Sequence, residues 1–231
     1  MQVPIEWLPA EGAPEQLILL LHGAGAGAVS MAPPAQALRA EFPQAAILAP
    51  DAPQAYDGGS RGRQWFSLTA IDDASRIARV AAALPPLRQW IRATQDRLRV
   101  PPMATAMAGF SQGAILGLEL ALADDGLAGR VLAFSGRFVQ PPALAPRHTT
   151  LHLFHGGADR VIAAAHSSAA LEWMGALRGD ATLDIAEGVG HELHPALLQR
   201  ALFRLRNHIP ARTWAAALGA VPGLPHLHEE D

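Results

Sequence analysis

The sequence has no cysteine and no lysine among its 231 residues, and these two absences restrict its chemistry. Without cysteine the chain can form no disulfide, no thiolate metal site and no cysteine nucleophile. Without lysine it has no Schiff-base amine, no phosphate-binding P-loop lysine and no serine–lysine pair. All 18 basic residues are therefore arginine. The lack of cysteine leaves the redox compartment undecided.

The chain also lacks an excess of positive charge and a long apolar run. Its net charge of −3 and isoelectric point near 6.4 argue against a nucleic-acid partner, which needs a basic patch. Residues 1–6 have neither the basic region nor the apolar core of a signal peptide. The nearby apolar run 17–21 is far shorter than the ~20 residues of a membrane span. These features predict a cytoplasmic protein, and they leave monomer and homodimer both open.

Short apolar runs bounded by glycine or proline indicate the strands. Half of the residues are hydrophobic and 17% are charged, which supports a sizeable core and excludes wholesale disorder. Apolar runs without alternation are typical of strands buried on both faces of a parallel sheet. We predict such strands over residues 17–21, 45–49, 104–108, 130–134, 150–154 and 181–185.

Helical patterns lie between these runs. We predict helices over residues 74–98, 114–123, 163–177 and 195–207. Asp72 or Asp73 would cap the first of them, and Pro85-Pro86 is expected to kink or split it. The alternation predicts one doubly wound α/β domain over residues 1–210, with a mostly parallel sheet and helices on both faces. A tail over 211–231 is expected to be either poorly ordered or packed as a short helix.

The motif with the strongest chemical meaning is Gly109-Phe110-Ser111-Gln112-Gly113, which has the pattern G-x-S-x-G. It directly follows a predicted strand and directly precedes a predicted helix, as a nucleophile elbow requires. The serine of such an elbow sits at a tight, strained turn where side chains on the flanking glycines would collide with neighbouring elements. The motif therefore predicts that Ser111 is a nucleophile.

A nucleophilic serine needs a base and an acid, which follow it in the order Asp/Glu and then His. Asp159 comes just after the strand 150–154, and His191 comes just after the strand 181–185. Both positions lie at carboxyl ends of strands, where open α/β sheets bind their ligands. We therefore predict Asp159 and His191 as catalytic residues. Asp180 and Asp184 are rival acids, but one starts a strand and the other lies inside it.

The glycine-rich segment 23–28 has two interpretations. As an oxyanion loop it would supply the backbone N–H of Ala24, beside the N–H of Gln112, the residue after the nucleophile. It also satisfies the dinucleotide fingerprint G-x-G-x-x-G/A, but that fingerprint opens a helix at once, whereas Pro33-Pro34 delay the next helix. We therefore favour Ala24 and Gln112 as oxyanion donors over a dinucleotide site.

The remaining histidine, arginine and aromatic residues near these motifs have more than one possible role. His191-Glu192-Leu193-His194 is one residue short of a zinc-binding H-E-x-x-H motif, so we predict no metal site there. A serine hydrolase needs no cofactor, and we predict none. The long loop 51–69 carries Trp65 and Phe66, which are either packed aromatics or walls of the substrate pocket. Arg61 and Arg63 in the same loop are expected to be solvated or to favour anionic substrates.

Taken together, these motifs resemble the phospholipase/carboxylesterase family of α/β-hydrolases, which includes acyl-protein thioesterases and small bacterial esterases. The resemblance spans roughly residues 16–210, and it rests on segments that appear in the family's order. These segments are His22-Gly23-Ala24-Gly25, Gly62-Arg63-Gln64-Trp65-Phe66-Ser67, Gly109 to Ala114, His155 to Ile162 and Gly190-His191-Glu192. The resemblance implies a three-layer α/β-hydrolase fold, a triad of Ser111, Asp159 and His191, and oxyanion donors at Ala24 and Gln112.

The function that follows is that of a serine carboxylesterase, which cleaves small-molecule esters through an acyl-enzyme on Ser111. Small residues around Ala24 and the nearby aromatics favour short or medium acyl chains. A thioesterase, a lysophospholipase or an amidase would use the same triad. A pseudo-hydrolase that only binds its ligand is the non-enzymatic alternative, and the intact triad positions and donor loops argue against it.

Overall fold

A seven-stranded sheet forms the middle of the computed structural model, which describes residues 3–59 and 61–219. Its strands are β1 (Ile5–Trp7), β2 (Gln16–Leu21), β3 (Ala45–Ala49), β6 (Thr105–Phe110), β7 (Arg130–Phe134), β8 (Thr150–Gly156) and β9 (Ala181–Ala186). Their spatial order runs from β1 through β3, β2, β6, β7 and β8 to β9, and of these strands only β1 is antiparallel to its neighbour. A separate two-stranded ribbon pairs β4 (Gln54–Ala55) with β5 (Arg63–Gln64).

Helices cover both faces of the sheet, because alternate strand residues point to opposite sides. Leu17, Leu19 and Leu21 of β2 belong to the core beneath α2 (Asp73–Leu98), α3 (Gln112–Ala123) and α4 (Ala165–Ala176). Ile18 and Leu20 belong to the core beneath α1 (Ala32–Glu41) and α5 (Pro195–Asn207). The predicted three-layer α/β architecture is therefore confirmed.

Helix α2 begins where the sequence predicts and continues further than expected. Asp72 is its N-cap, and the Asp72 carboxylate accepts a hydrogen bond from the Ser75 N–H at 2.8 Å. The predicted split at Pro85-Pro86 was wrong, since the helix runs unbroken to Leu98. Both prolines are exposed, and so are residues 81 and 82, whose carbonyls lose their partners and can be hydrated.

Helix α1 and the ribbon of β4 and β5 were also not predicted, and two further differences lie near the ends of the chain. Strand β1 was missed, because three half-buried residues carry no clear periodicity. The predicted tail begins with helix α6 (Ala211–Gly219), and residues 220–231 of that tail lie outside the described residues. Within residues 3–59 and 61–219, no helix combines the length and hydropathy needed to cross a membrane.

Candidate active site

Ser111 lies at the turn between β6 and α3, with a backbone φ of 54° that few non-glycine residues adopt. The two glycines of the motif make this turn sterically feasible. A Cβ at Gly109 would overlap the backbone of Gly113, and a Cβ at Gly113 would overlap the carbonyl of Leu21 in β2. The turn therefore holds the Ser111 side chain at the carboxyl edge of the sheet, ahead of helix α3.

His191 stands between Ser111 and Asp159. Its Nε2 lies 3.0 Å from the Ser111 Oγ, and its Nδ1 lies 2.7 Å from the Asp159 Oδ2. The Phe110 ring packs against the imidazole with the two ring centres 4.9 Å apart. The Nδ1–H donates to the carboxylate, so Nε2 is left as the acceptor that faces the hydroxyl. This geometry matches what a general base needs in order to take the serine proton.

Asp159 is held by its own loop, which follows β8. Its Oδ1 accepts backbone N–H bonds from Val161 at 2.8 Å and Ile162 at 2.9 Å. Burial raises the pKa of the Asp159 carboxyl, but its hydrogen bonds, led by the one from His191, outweigh burial and keep the pKa below its usual value. The side chain is therefore ionised and fixed in orientation before any substrate arrives.

A second histidine, His155, supports the acid loop and was not predicted as a site residue. Its Nε2–H donates to the Ile162 carbonyl at 2.8 Å, so its Nδ1 accepts from the Ser167 hydroxyl at 2.7 Å. The ring is fully buried, and burial lowers its pKa, so it is neutral. His155 ties β8, the loop of Asp159 and helix α4 together.

The two backbone N–H groups of the predicted oxyanion hole are free to bind a ligand. Gln112 begins α3, so its N–H has no partner within the helix. The neighbouring N–H groups of Gly25 and Ala26 bond to the carbonyls of Arg63 and Gly23. In the part of the chain that the structure describes, neither the Ala24 nor the Gln112 N–H takes part in a protein hydrogen bond.

The side chain of Gln112 fixes the aromatic segment beside it. Its Oε1 accepts from the Trp65 N–H at 2.9 Å, and its Nε2 donates to the Phe66 carbonyl at 2.8 Å. The Trp65 indole N–H donates to the His22 carbonyl at 2.8 Å. His22 is buried, which lowers its pKa, and its Nε2 accepts from the Ala52 N–H at 3.0 Å. His22 is therefore a neutral brace of the oxyanion loop.

Arg63 braces the same loop, which corrects the expectation that it is solvated. Its guanidinium donates to the carbonyls of Ala52 at 2.8 Å and Pro53 at 2.6 Å, and its backbone N–H donates to Ala26 at 2.7 Å. Gly62 has a φ of 92°, and a Cβ there would overlap the backbone of Gly25. The signal for this role was the Gly-Arg pair in a long loop, but its partner carbonyls could not be identified from the sequence.

A cleft of about 350 Å³ opens at Ser111. Phe66 lines it, whereas Trp65 is not among its lining residues, since the indole points toward the His22 carbonyl. The cleft also takes basic side chains from distant segments, which no local sequence signal indicated. Its lining residues are Ala24, Phe66, Leu68, Arg76, Ser111, Gln112, Ile115, Arg137, Val161, Ile162 and His166.

Asp180 and Asp184, the two rival candidates for the catalytic acid, form ion pairs or hydrogen bonds with other residues. Asp180 lies 3.0 Å from His208 Nε2, and Asp184 pairs with Arg200 at 2.7 Å and Arg204 at 2.8 Å. In the described residues, no group of three or more histidine, aspartate or glutamate side chains is arranged to hold a metal ion.

The chain is similar to known esterases in both sequence and fold. Residues 8–209 match the model of the phospholipase/carboxylesterase family. Esterase YpfH of Escherichia coli (strain K12) is 42% identical over 210 residues, which cover 90% of each chain. The crystal structure of esterase PE8 shares 30% identity and a TM-score of 0.83, covering 90% of this chain and 99% of that one. The Bacillus cereus carboxylesterase, at 15% identity, shares the fold with a TM-score of 0.73 over 87% of this chain and 91% of its own.

Proposed function

The chain belongs to the phospholipase/carboxylesterase family and hydrolyses carboxylic esters, and from this premise we propose which residues carry the reaction. Ser111, His191 and Asp159 are the catalytic triad. The observation that carries this assignment is the continuous hydrogen-bonded series from Asp159 through His191 to Ser111, with distances of 2.7 and 3.0 Å.

In the first half of the reaction, the Ser111 Oγ attacks the ester carbonyl while His191 Nε2 takes the serine proton. The new C–O bond pushes negative charge onto the carbonyl oxygen, where the N–H groups of Ala24 and Gln112 stabilise it. Asp159 stays ionised and stabilises the imidazolium. As the tetrahedral intermediate collapses, the ester C–O bond breaks, and His191 passes its proton to the departing alcohol.

The second half releases the acid. His191 Nε2 now takes a proton from water, whose oxygen attacks the acyl carbonyl of the ester on Ser111. The same two N–H groups bind the second oxyanion. Cleavage of the bond to Ser111 Oγ frees the carboxylic acid, and the proton on His191 returns to the serine oxygen.

The cleft supports short or medium acyl chains. Its volume of about 350 Å³ lies near the lower end of ligand pockets. We assign Phe66 to the wall that touches the substrate, and we assign Trp65 to positioning that wall through its hydrogen bonds.

Rates on matched esters, thioesters and amides would rank the thioesterase and amidase alternatives. The cytoplasmic location and the choice between monomer and homodimer stay predictions for fractionation and gel filtration.

The nucleophile assignment is tested by covalent labelling. A fluorophosphonate probe is expected to label the protein on Ser111, and Ser111→Ala is expected to abolish labelling and to lower kcat/KM on p-nitrophenyl butyrate by ~10⁴-fold or more. Ser168→Ala, on helix α4, is the matched control and is expected to keep both the labelling and the kcat/KM of the wild type. Labelling or turnover that survives in Ser111→Ala would reject the assignment.

A further inference from the structure

Three basic side chains line the cleft that contains Ser111. Arg76 comes from the first turns of α2, Arg137 from the segment after β7, and His166 from the start of α4. Phe66, Ile115 and Ile162 are apolar members of the same lining. The cleft is therefore divided between apolar surface and cationic groups, a combination that a purely apolar ester would not use.

The backbone that delivers Arg137 is unusual. Ser135 has a φ of 49°, and a Cβ at Gly136 would contact the Cβ of Ala114 at 2.5 Å. Non-glycine residues in this conformation are strained and concentrate at functional sites. Ser135 also has a buried hydroxyl without a hydrogen-bond partner in the described part of the chain. This sharp turn follows β7 directly and leads the chain to Arg137 beside the nucleophile helix.

The positive charge in the cleft is poorly neutralised. Arg76 pairs with Asp73 at 2.7 Å, but the Asp73 side chain is 88% exposed, so water screens the pair. Across residues 3–59 and 61–219, Arg137 makes no hydrogen bond or ion pair. Burial lowers the pKa of Arg137 and the nearby Arg76 charge lowers it further, while the exposed Asp73 carboxylate offsets only part of this lowering. Burial and then the Arg137 charge likewise lower the pKa of His166.

We propose that this cleft selects esters that carry a carboxylate, which Arg137 and Arg76 bind. This inference rests on the proposed function of Ser111. A guanidinium presents two parallel N–H donors that match the two oxygens of a carboxylate, and such charge-assisted bonds are the strong ones. The apolar lining contacts the short chain between the carboxylate and the ester carbonyl. The substrate class is therefore half-esters of dicarboxylic acids or esters of hydroxy acids.

Matched substrate pairs test this proposal. The first pair is the p-nitrophenyl half-ester of glutaric acid and p-nitrophenyl pentanoate, which differ by a carboxylate on the acyl chain. The second pair is 4-acetoxybenzoate and its methyl ester, which differ by a carboxylate on the alcohol. The wild type is expected to have the higher kcat/KM for the anionic member of at least one pair. Arg137→Gln is expected to lower that anionic-to-neutral ratio by about tenfold or more.

Controls keep the result interpretable. Arg88→Gln removes one exposed charge from α2 outside the cleft, so it is expected to keep the ratio. Arg76→Gln serves as a second variant and is expected to lower the ratio. A wild type that favours the neutral ester in both pairs, or a ratio that both cleft variants leave unchanged, would overturn the proposal. Failure of the wild type to hydrolyse any ester or to be labelled would instead overturn the proposed function.

Discussion

Two histidine–aspartate pairs lie at opposite edges of the same sheet. At the carboxyl edge, His191 Nδ1 lies 2.7 Å from Asp159; at the amino edge, His208 Nε2 lies 3.0 Å from Asp180. The residue types and distances are similar, yet of these two pairs only the first reaches a serine hydroxyl in the described part of the chain, that of Ser111, which lines the cleft. The comparison shows that a histidine–aspartate pair can act in catalysis only where the second ring nitrogen of the histidine faces a nucleophile, as His191 Nε2 faces the Ser111 hydroxyl.

The amino-edge pair is instead surrounded by structural partners. Asp180 Oδ2 accepts from the Thr150 hydroxyl at 2.7 Å and from the Ala211 N–H at 3.1 Å, so it joins β8 to the start of α6. The rings of His208 and His152 pack nearly perpendicular to each other, with ring centres 5.0 Å apart. Neither Asp180 nor His208 is among the residues that line the cleft at Ser111. Its hydrogen bonds stabilise the fold.

The largest expected effect separates the two pairs by activity. Asp159→Asn is expected to lower kcat on p-nitrophenyl butyrate by about 10⁴-fold, because the amide no longer holds His191 in the productive tautomer. Asp180→Asn is the matched variant and is expected to keep kcat near the wild-type value. Equal losses in the two variants would remove the distinction between the pairs.

A smaller effect separates them by stability. Asp180→Asn is expected to lower the free energy of unfolding by about 2 kcal/mol, because an amide cannot accept all the hydrogen bonds that the carboxylate accepts. Urea denaturation of this variant and the wild type measures the difference. An unchanged transition midpoint would show that the amino-edge pair contributes nothing to folding.

The last expected effect is on the pH dependence of stability, and it concerns the protonation of His152 at the amino edge. Arg130 donates to His152 Nε2 at 2.9 Å, so the buried ring is neutral there. Burial, followed by the Arg130 charge, lowers the pKa of His152 to about 3 from an ordinary value of 6.5. Between those two values the unfolded chain binds a proton that the folded chain excludes. His152 therefore makes the free energy of unfolding fall by about 1.4 kcal/mol per unit as the pH drops through this range.

The His152→Gln variant removes this dependence. The free energy of unfolding is measured by denaturation at several pH values between about 4 and 6, a range that lies between the two pKa values of His152. Plotted against pH, it is expected to rise less steeply in the variant than in the wild type, by the amount that corresponds to about one proton. The loss of His152 packing changes the free energy of unfolding by the same amount at every pH, so it does not affect the comparison of the two pH dependences. Parallel slopes would mean that His152 is protonated in the folded protein.

Much of this site could be predicted because its chemistry is local in sequence. Ser111 is flanked by glycines that the turn requires, and Asp159 and His191 follow strands with clear apolar runs. The carboxyl ends of parallel strands meet at one edge of a sheet, so the order of the elements was enough to bring the three residues together.

The supporting residues could not be predicted because their partners are distant in sequence. Gln112 bonds to Trp65 and Phe66, and Arg63 bonds to carbonyls in the segment 52–53. No periodicity reports such contacts between a side chain and a distant backbone. The continuous helix through Pro85 was missed for a related reason, since exposure of the freed carbonyls depends on the packing of the whole helix.

The two roles of Gln112 have a consequence for protein engineering. Its backbone N–H sits beside the nucleophile, while its amide holds the main chain of Trp65 and Phe66. Loop grafts or insertions at 65–66 would therefore disturb the turn that performs the chemistry. Variant libraries that aim to change substrate specificity are better confined to Leu68 and Val161. The side chains of both residues line the cleft, and neither side chain can form a hydrogen bond that holds the site together.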